Sequence, residues 1–307
     1  NNVSFRRVES GSEVTLDYVN TVLSPKNAFF PQTETMFRFS RDNNGGLGLE
    51  QDDEADREQV IFGIRPCDAR SLRLMDMVFN GQYKDSYYLN RREKTTLIGL
   101  ACFEPAETCF CPTFGIDPAS GEDVDILFSD IGDRYLVEPS TEKGAALLDR
   151  FAEFFDKLKG DEEQLREARK AGLAGMKKLN IKAIADKMAP LYEGDYWDSI
   201  GMKCLGCGIC TYLCPTCHCF DIADVSLDVG GERFRCWDSC MFPEFTLMAS
   251  GENPRPNRKA RVQQRFFHKL KYFPARNGEV ACVGCGRCIS CLLYTSDAAD
   301  DQGLVYI

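Results

Sequence analysis

Two short apolar runs, Val60-Ile-Phe-Gly-Ile64 and Thr95-Thr-Leu-Ile-Gly-Leu-Ala101, have the length and composition of buried strands. Between them Leu72, Leu74, Met75 and Val78 recur at helical spacing, and Asp68 is a candidate N-cap for that helix. A strand–helix–strand order predicts parallel neighbours in an α/β sheet. Alternation at Asp123-Val-Asp-Ile-Leu-Phe128 and Arg134-Tyr-Leu-Val-Glu138 predicts a strand hairpin that finishes this sheet. Weaker alternation at Val14–Val19 suggests another strand, Asp42-Asn-Asn-Gly-Gly a turn, and the acidic run from Glu50 to Glu58 a solvated segment. Ala146, Leu147, Phe151, Phe154, Phe155 and Leu158 form a helical stripe over 143–159. The charged stretch from Asp161 to Met188 also reads as helix, weakened at Gly172 and Gly175. Near the other end, Val262, Phe266, Leu270 and Phe273 make one apolar stripe on a basic amphipathic helix within 253–276.

The chemistry lies in the cysteines. Cys204-Leu-Gly-Cys207-Gly-Ile-Cys210-Thr-Tyr-Leu-Cys214-Pro215 has the C-x2-C-x2-C-x3-C-P spacing of a [4Fe–4S] ferredoxin loop. In that pattern the first three thiolates wrap one cluster, and the fourth crosses to a second. A twin is therefore required, and Cys282-Val-Gly-Cys285-Gly-Arg-Cys288 supplies it. Cys204, Cys207 and Cys210 are assigned to the first cluster; Cys282, Cys285, Cys288 and the crossing Cys214 are assigned to the second. Structural zinc, which takes four ligands per site in separated pairs, fits this spacing poorly. Cys67 and Cys102 each follow a predicted strand, and Cys109-Phe-Cys111 lies just beyond, so all four are expected on one rim of the sheet. A third iron–sulfur cluster, structural zinc and plain buried thiols remain open there, with the convergence favouring the cluster. Cys217, Cys219, Cys236 and Cys240 match no ferredoxin spacing; they read as small residues packed near the sulfurs, or as ligands of another metal. His218 reads as a hydrogen-bond donor, and Trp197 and Ile200 as cover for the first cluster.

Size and charge narrow the setting. A chain of 307 residues with 44% hydrophobic content supports two or three packed domains. Sixteen cysteines in a chain this large, half of them in two metal-type clusters, point to a reducing cytoplasm rather than a secreted disulfide scaffold. A net charge of −10 argues against nucleic-acid binding, and no apolar run approaches a membrane span. The start at Asn1 suggests a fragment. From Cys291 onward, Cys291-Leu-Leu-Tyr-Thr-Ser-Asp-Ala-Ala-Asp is what a transposon-end sequencing adapter encodes, so residues 291–307 are expected to be read-through. The second motif then lacks its natural C-x3-C-P end, and the first cluster lacks a secure fourth ligand. The basic residues of 253–276, among them Arg258, Arg261 and Arg265, are expected to raise the potential of the anionic clusters.

Longer motifs carry a family resemblance. Pro31-Gln-Thr-Glu34, Gly63-Ile-Arg-Pro-Cys-Asp68, Tyr88-Leu-Asn-Arg-Arg-Glu93 and Thr108-Cys-Phe-Cys111 resemble the first half of the family that joins the sulfhydrogenase beta subunit with the A-type subunit of anaerobic sulfite reductase. Cys214-Pro-Thr-Cys-His-Cys-Phe-Asp221, Arg235-Cys-Trp-Asp-Ser-Cys240 and Asn253-Pro-Arg-Pro256 resemble its dicluster half. The resemblance implies an iron–sulfur electron-transfer subunit of a cytoplasmic multi-subunit oxidoreductase, partnered by a flavin- and NAD(P)-binding subunit and by a catalytic one. The expected architecture is an α/β domain over 1–142, a helical bridge over 143–194 and an α+β, ferredoxin-like domain with two [4Fe–4S] clusters over 195–290. A zinc-stabilised scaffold and a self-sufficient sulfur-compound reductase are the rival readings.

Overall fold

The computed structural model describes residues 3–11, 14–41, 46–51, 57–227 and 230–291. The predicted turn at 42–46 and the acidic run at 50–58 lie largely outside these residues, and the adapter-like tail lies outside them except for Cys291.

Two four-stranded sheets form the frame. The first is antiparallel. Strands β1 (Thr33–Arg41) and β2 (Leu47–Gln51) pair with each other, and β1 also pairs with a strand from far along the chain. The second sheet contains β3 (Gln59–Ile64), and Pro66 then opens helix α1 (Pro66–Phe79). After α2 (Ser86–Lys94), β4 (Thr95–Leu100) returns parallel to β3, and β5 (Ile126–Asp130) lies parallel to β4. Strand β6 (Tyr135–Pro139) closes the sheet antiparallel to β5. The parallel pair and the hairpin follow the apolar pattern of the sequence. Asp68, by contrast, is not the cap of α1: Arg65 takes that position, Pro66 starts the helix, and Asp68 falls in the first turn. Proline, with no N–H to leave unpaired and a fixed φ, is well suited to that start.

The segment 14–19 forms no strand. Its alternation reflects packing rather than sheet pairing: Leu16 and Tyr18 lie against Gly63, and the Tyr18 hydroxyl donates to the Gly63 carbonyl. Helix α3 (Glu142–Arg150) ends short of the predicted 143–159. Phe151, Phe154, Phe155 and Leu158 are exposed, so the stripe has no core to dock on within the described residues. Helices α4 (Glu162–Ala171) and α5 (Ile184–Met188) follow, separated by a 3-10 turn at Gly172–Gly175 where the glycines weaken the helix.

Helices α6 (Tyr196–Lys203) and α7 (Ile209–Tyr212) flank the first cysteine motif. The hairpin β7 (Phe220–Leu227) and β8 (Gly230–Trp237) then completes the first sheet in the order β2-β1-β8-β7. Residues 33–51 and 220–237 thus share one sheet. A buried polar network locks it to α2: Glu34 accepts from both Arg91 and Arg235, with Arg235 Nε 2.6 Å from Glu34 Oε2, and Arg235 also pairs with Asp85. Burying such charges is tolerable only because each has a partner.

Helix α8 (Arg258–Phe267) runs into a π-helical turn at His268–Tyr272 and then α9 (Phe273–Asn277). A π turn adds a residue to the helical repeat. Val262, Phe267 and Phe273 are buried and Leu270 packs against the core, whereas Phe266, within regular α8, is 41% exposed. Helix α10 (Arg287–Ser290) closes the described chain and packs on α7.

Candidate iron–sulfur centres

The two C-x2-C-x2-C loops have the same local form. Gly206 and Gly208 sit at φ +74° and +73°, and Gly284 and Gly286 at +62° and +75°. These left-handed positions favour glycine, and alternating them with cysteine gives each loop the same tight curl. Each loop ends in a short helix begun by its second glycine, α7 and α10.

Several electrostatic neighbours of the thiols come from the other loop. Cys210 interacts with Cys288 and Cys214 as well as Cys204, whereas Cys282 and Cys285 both interact with Cys214. Cys291 lies near Cys210, Cys288 and Cys207. Burial pushes the Cys282 and Cys285 thiols up to about 11 and about 12, so unligated they are neutral at pH 7, and metal would have to displace their protons.

The Cys67, Cys102, Cys109 and Cys111 set converges as expected: all four line one small enclosed cavity with Cys285. Burial raises Cys111 to about 12 and raises Cys67, Cys102 and Cys109 as well. This loop is fastened directly to the second motif. Phe110 N donates to Gly284 O at 2.8 Å, and Cys109 Sγ lies 3.8 Å from Cys285 O. A Cβ on Gly284 would stand 2.6 Å from Cys111 N and from Phe110 C and O, so only glycine permits this approach.

A buried ion pair does the rest. Arg287, inside the second motif, pairs with Asp68, beside Cys67, through Nη1–Oδ1 at 2.5 Å and Nη2–Oδ2 at 2.8 Å. Arg287 also donates to Thr21 O and Asn20 Oδ1, and Asn20 Nδ2 returns to Cys285 O. Bidentate Arg–carboxylate geometry is both strong and directional. Sequence spacing names the thiols but gives no sign of this clasp, because its partners stand far apart in the chain.

Cations crowd the sulfurs on the other side. Lys269 Nζ lies 3.2 Å from Cys214 Sγ, 2.7 Å from Thr216 Oγ1 and 2.9 Å from Ala281 O. Arg265 Nη1 is 3.6 Å from Cys217 Sγ, and its Nη2 donates to Cys210 O at 2.9 Å. Lys26 Nζ donates to Cys217 O at 3.0 Å and sits 4.0 Å over the Trp237 ring. Of the three arginines expected to act on a cluster, Arg265 alone touches sulfur. Arg258 donates to Cys204 O, and Arg261 to the carbonyls of Arg255 and Pro256. Cys217 donates to Cys214, which with Lys269 and Arg265 holds the Cys214 thiol well below its ordinary value. His218 Nδ1 donates to Thr216 O at 3.1 Å, and burial lowers it to about 4, leaving the ring neutral. Trp197 is buried in a cluster with Met188, Met241, Val262 and Phe267, and Ile200, Cys204, Cys210 and Cys240 pack against it.

Among the described residues no three His, Cys, Asp or Glu side chains close on one point as ligands of a single ion would. The donors nevertheless fit iron–sulfur chemistry: soft thiols, two glycine-curled loops and buried cations ready to balance an anion.

A family profile for 4Fe–4S dicluster domains matches residues 203–294. No solved structure matches the chain. Sulfhydrogenase 2 subunit beta of Pyrococcus furiosus is 34% identical over 289 residues, covering 92% of this chain and 83% of the relative. With a relative that close along nearly its whole length and the dicluster match over both cysteine loops, the chain belongs to the sulfhydrogenase beta subunit family of iron–sulfur proteins.

Proposed function

We propose that this chain is the electron relay of a multi-subunit oxidoreductase, passing single electrons between a flavin- and NAD(P)-binding subunit and a catalytic subunit in the cytoplasm. Cys282, Cys285, Cys288 and the crossing Cys214 hold one [4Fe–4S] cluster. Cys204, Cys207 and Cys210 hold the other, whose natural fourth ligand lies beyond the C-x2-C-x2-C run of the second motif. Cys67, Cys102, Cys109 and Cys111 hold a third.

The observation that carries this reading is the contiguity of the three sets. The first cavity includes Cys285, Cys285 neighbours Cys214, and Cys288 neighbours Cys210. Clusters at these places would form a line through which an electron can step from the Cys67 cavity to the exposed loop at Cys207. When bound, the clusters supply one-electron redox chemistry. The chain's own residues position and insulate them: Asp68 and Arg287 clasp the two loops, Trp197 covers the first, and Lys269 and Arg265 donate toward the thiolates. No helix among the described residues is long and apolar enough to cross a membrane.

Anaerobic purification with counts of iron, acid-labile sulfide and zinc tests the reading. A brown protein rich in iron and sulfide is expected. A colourless chain carrying zinc alone would replace the relay with the zinc-stabilised scaffold. Turnover of sulfite, polysulfide or hydrogen by the isolated chain would replace it with a self-sufficient reductase.

A further inference from the structure

Residues 14–21 join no strand, yet side chains pin them in place. The Tyr18 hydroxyl donates to Gly63 O, and the Arg65 guanidinium lies 4.5 Å over the Tyr18 ring. Arg65 Nε donates to Val19 O at 3.1 Å, while its Nη1 donates to Ala101 O at 2.7 Å, so one arginine ties the segment to the end of β4. Asn20 Nδ2 donates to Cys285 O at 3.2 Å, and Arg287 Nε donates to Thr21 O at 2.8 Å. Among the described residues, the backbone–backbone bonds of this segment are local: Val14 N to Gly11 O and Tyr18 N to Leu16 O. Each side-chain bond biases such an equilibrium by only about two- to tenfold.

This stretch is one wall of the cavity that holds Cys67, Cys102, Cys109 and Cys111. Val19 and Asn20 line it beside those thiols. Val19 is also 37% exposed, so on this side the wall is one residue thick. The other walls are anchored in the fold. Pro66 and Cys67 belong to the first turn of α1, Cys102 N donates to Pro118 O at 2.8 Å, and Phe110 N donates to Gly284 O at 2.8 Å. Local opening selects the segment with the fewest backbone bonds to its surroundings.

We propose that residues 18–21 are a gate: closed, they keep solvent from the Cys67 set, and they swing out to admit iron and sulfide to its thiols. Tyr18, Asn20, Arg65 and Arg287 are the latches. The inference rests on the relay reading for what fills the cavity, whereas the movement of the gate is readable in the iron-free chain. Thiols that take up metal there release their protons to solvent. Arg287 serves two contacts at once, Asp68 and Thr21 O, so seating the second cysteine motif also closes the gate.

The test uses the full chain, made iron-free under anaerobic conditions, and a short pulse of N-ethylmaleimide read cysteine by cysteine by mass spectrometry. Tyr18→Phe removes the bond to Gly63 O. Asn20→Ala removes the bond to Cys285 O and one acceptor of Arg287. Either is expected to raise labelling of Cys67 and Cys102 about two- to tenfold, and the double variant by about the product. Cys282, outside this cavity, should label at the parent rate throughout. Tyr87→Phe loses a tyrosine bond of the same kind, to Met36 O on β1, and should leave Cys67 and Cys102 at the parent rate. On addition of iron and sulfide, protection of Cys67 and Cys102 should develop faster in the double variant than in the parent. Unchanged labelling of Cys67 and Cys102 in the variants, or a rise matched at Cys282, overturns the gate. So does a parent in which both label as fast as the exposed Cys207. A parent that takes up no iron sinks the relay reading, and the gate's cargo with it.

Discussion

Asp68→Asn removes one arm of the clasp between the Cys67 loop and the second cysteine motif. Asp68 is 1% exposed and Arg287 4%, and they meet through two parallel hydrogen bonds of 2.5 and 2.8 Å. Breaking a buried pair from one side costs about 3–5 kcal/mol, because the remaining charge stays buried. Asp68 also lies in the first turn of α1, where the helix dipole adds about 0.3–1 kcal/mol for a carboxylate. Acting the other way, Arg287 keeps acceptors at Thr21 O and Asn20 Oδ1, which places the expected cost near 3 kcal/mol. At about 1.4 kcal/mol per decade, local opening should become about 100-fold more frequent. Amide hydrogen exchange of the iron-loaded chain, read over residues 284–289 and 66–72, reports this opening directly. Arg287→Met should give a comparable loss. The Asp68→Asn/Arg287→Met pair should cost less than the sum of the singles by at least about 1 kcal/mol. Single variants whose exchange stays within about threefold of the parent, or costs that simply add, would show that the clasp does not hold the two loops together.

Gly284→Ala would place a Cβ 2.6 Å from Cys111 N at a φ of +62°, so it is expected to detach the 108–111 loop. Iron should fall by the Cys67-set centre before any other, read by iron count and visible absorbance. Lys269→Met removes the donor 3.2 Å from Cys214 Sγ and should lower the potential of the cluster at Cys282, Cys285 and Cys288, whereas Arg258→Met, which bonds only a carbonyl, should leave potentials unchanged in a redox titration. Backbone N–H groups of Glu162 itself, Lys159 and Gly160 hold the Glu162 carboxyl down to about 2. A depressed folded value means that its contribution to α4 is complete above the unfolded range near ~4.3 and is lost as pH falls toward 2. Helical signal from α4 should therefore fade over that window, and Glu162→Gln should abolish the pH dependence. Chelation under reducing conditions should release iron and raise the exchange of both glycine-curled loops together, since Cys214 of the first loop would cross to the cluster of the second.

Some of this was legible from residue order because its cause is local. Strand and helix periodicity placed β3, α1 and β4, and Pro66 with Cys67 marked the rim where the cavity forms. The C-x2-C-x2-C spacing with its interleaved glycines is likewise a local pattern, and those glycines take the left-handed turns that both loops need. Where local pattern misled, a partner was the reason. Leu16 and Tyr18 alternate like a strand but pack on Gly63, and Phe154 sits at helical spacing with nothing described to cover it.

What tertiary structure alone decided is who faces whom. Arg287 and Asp68 are separated by most of the chain, as are Lys26 and Cys217, and no periodicity or spacing encodes their meeting. A buried charge chooses its partner by distance in space and by the absence of water, and both exist only after β1 has paired with β8 and the Cys109 loop has closed on Gly284. The residues themselves therefore name the candidate ligands, whereas the fold settles which cations and which neighbouring thiols stand beside them.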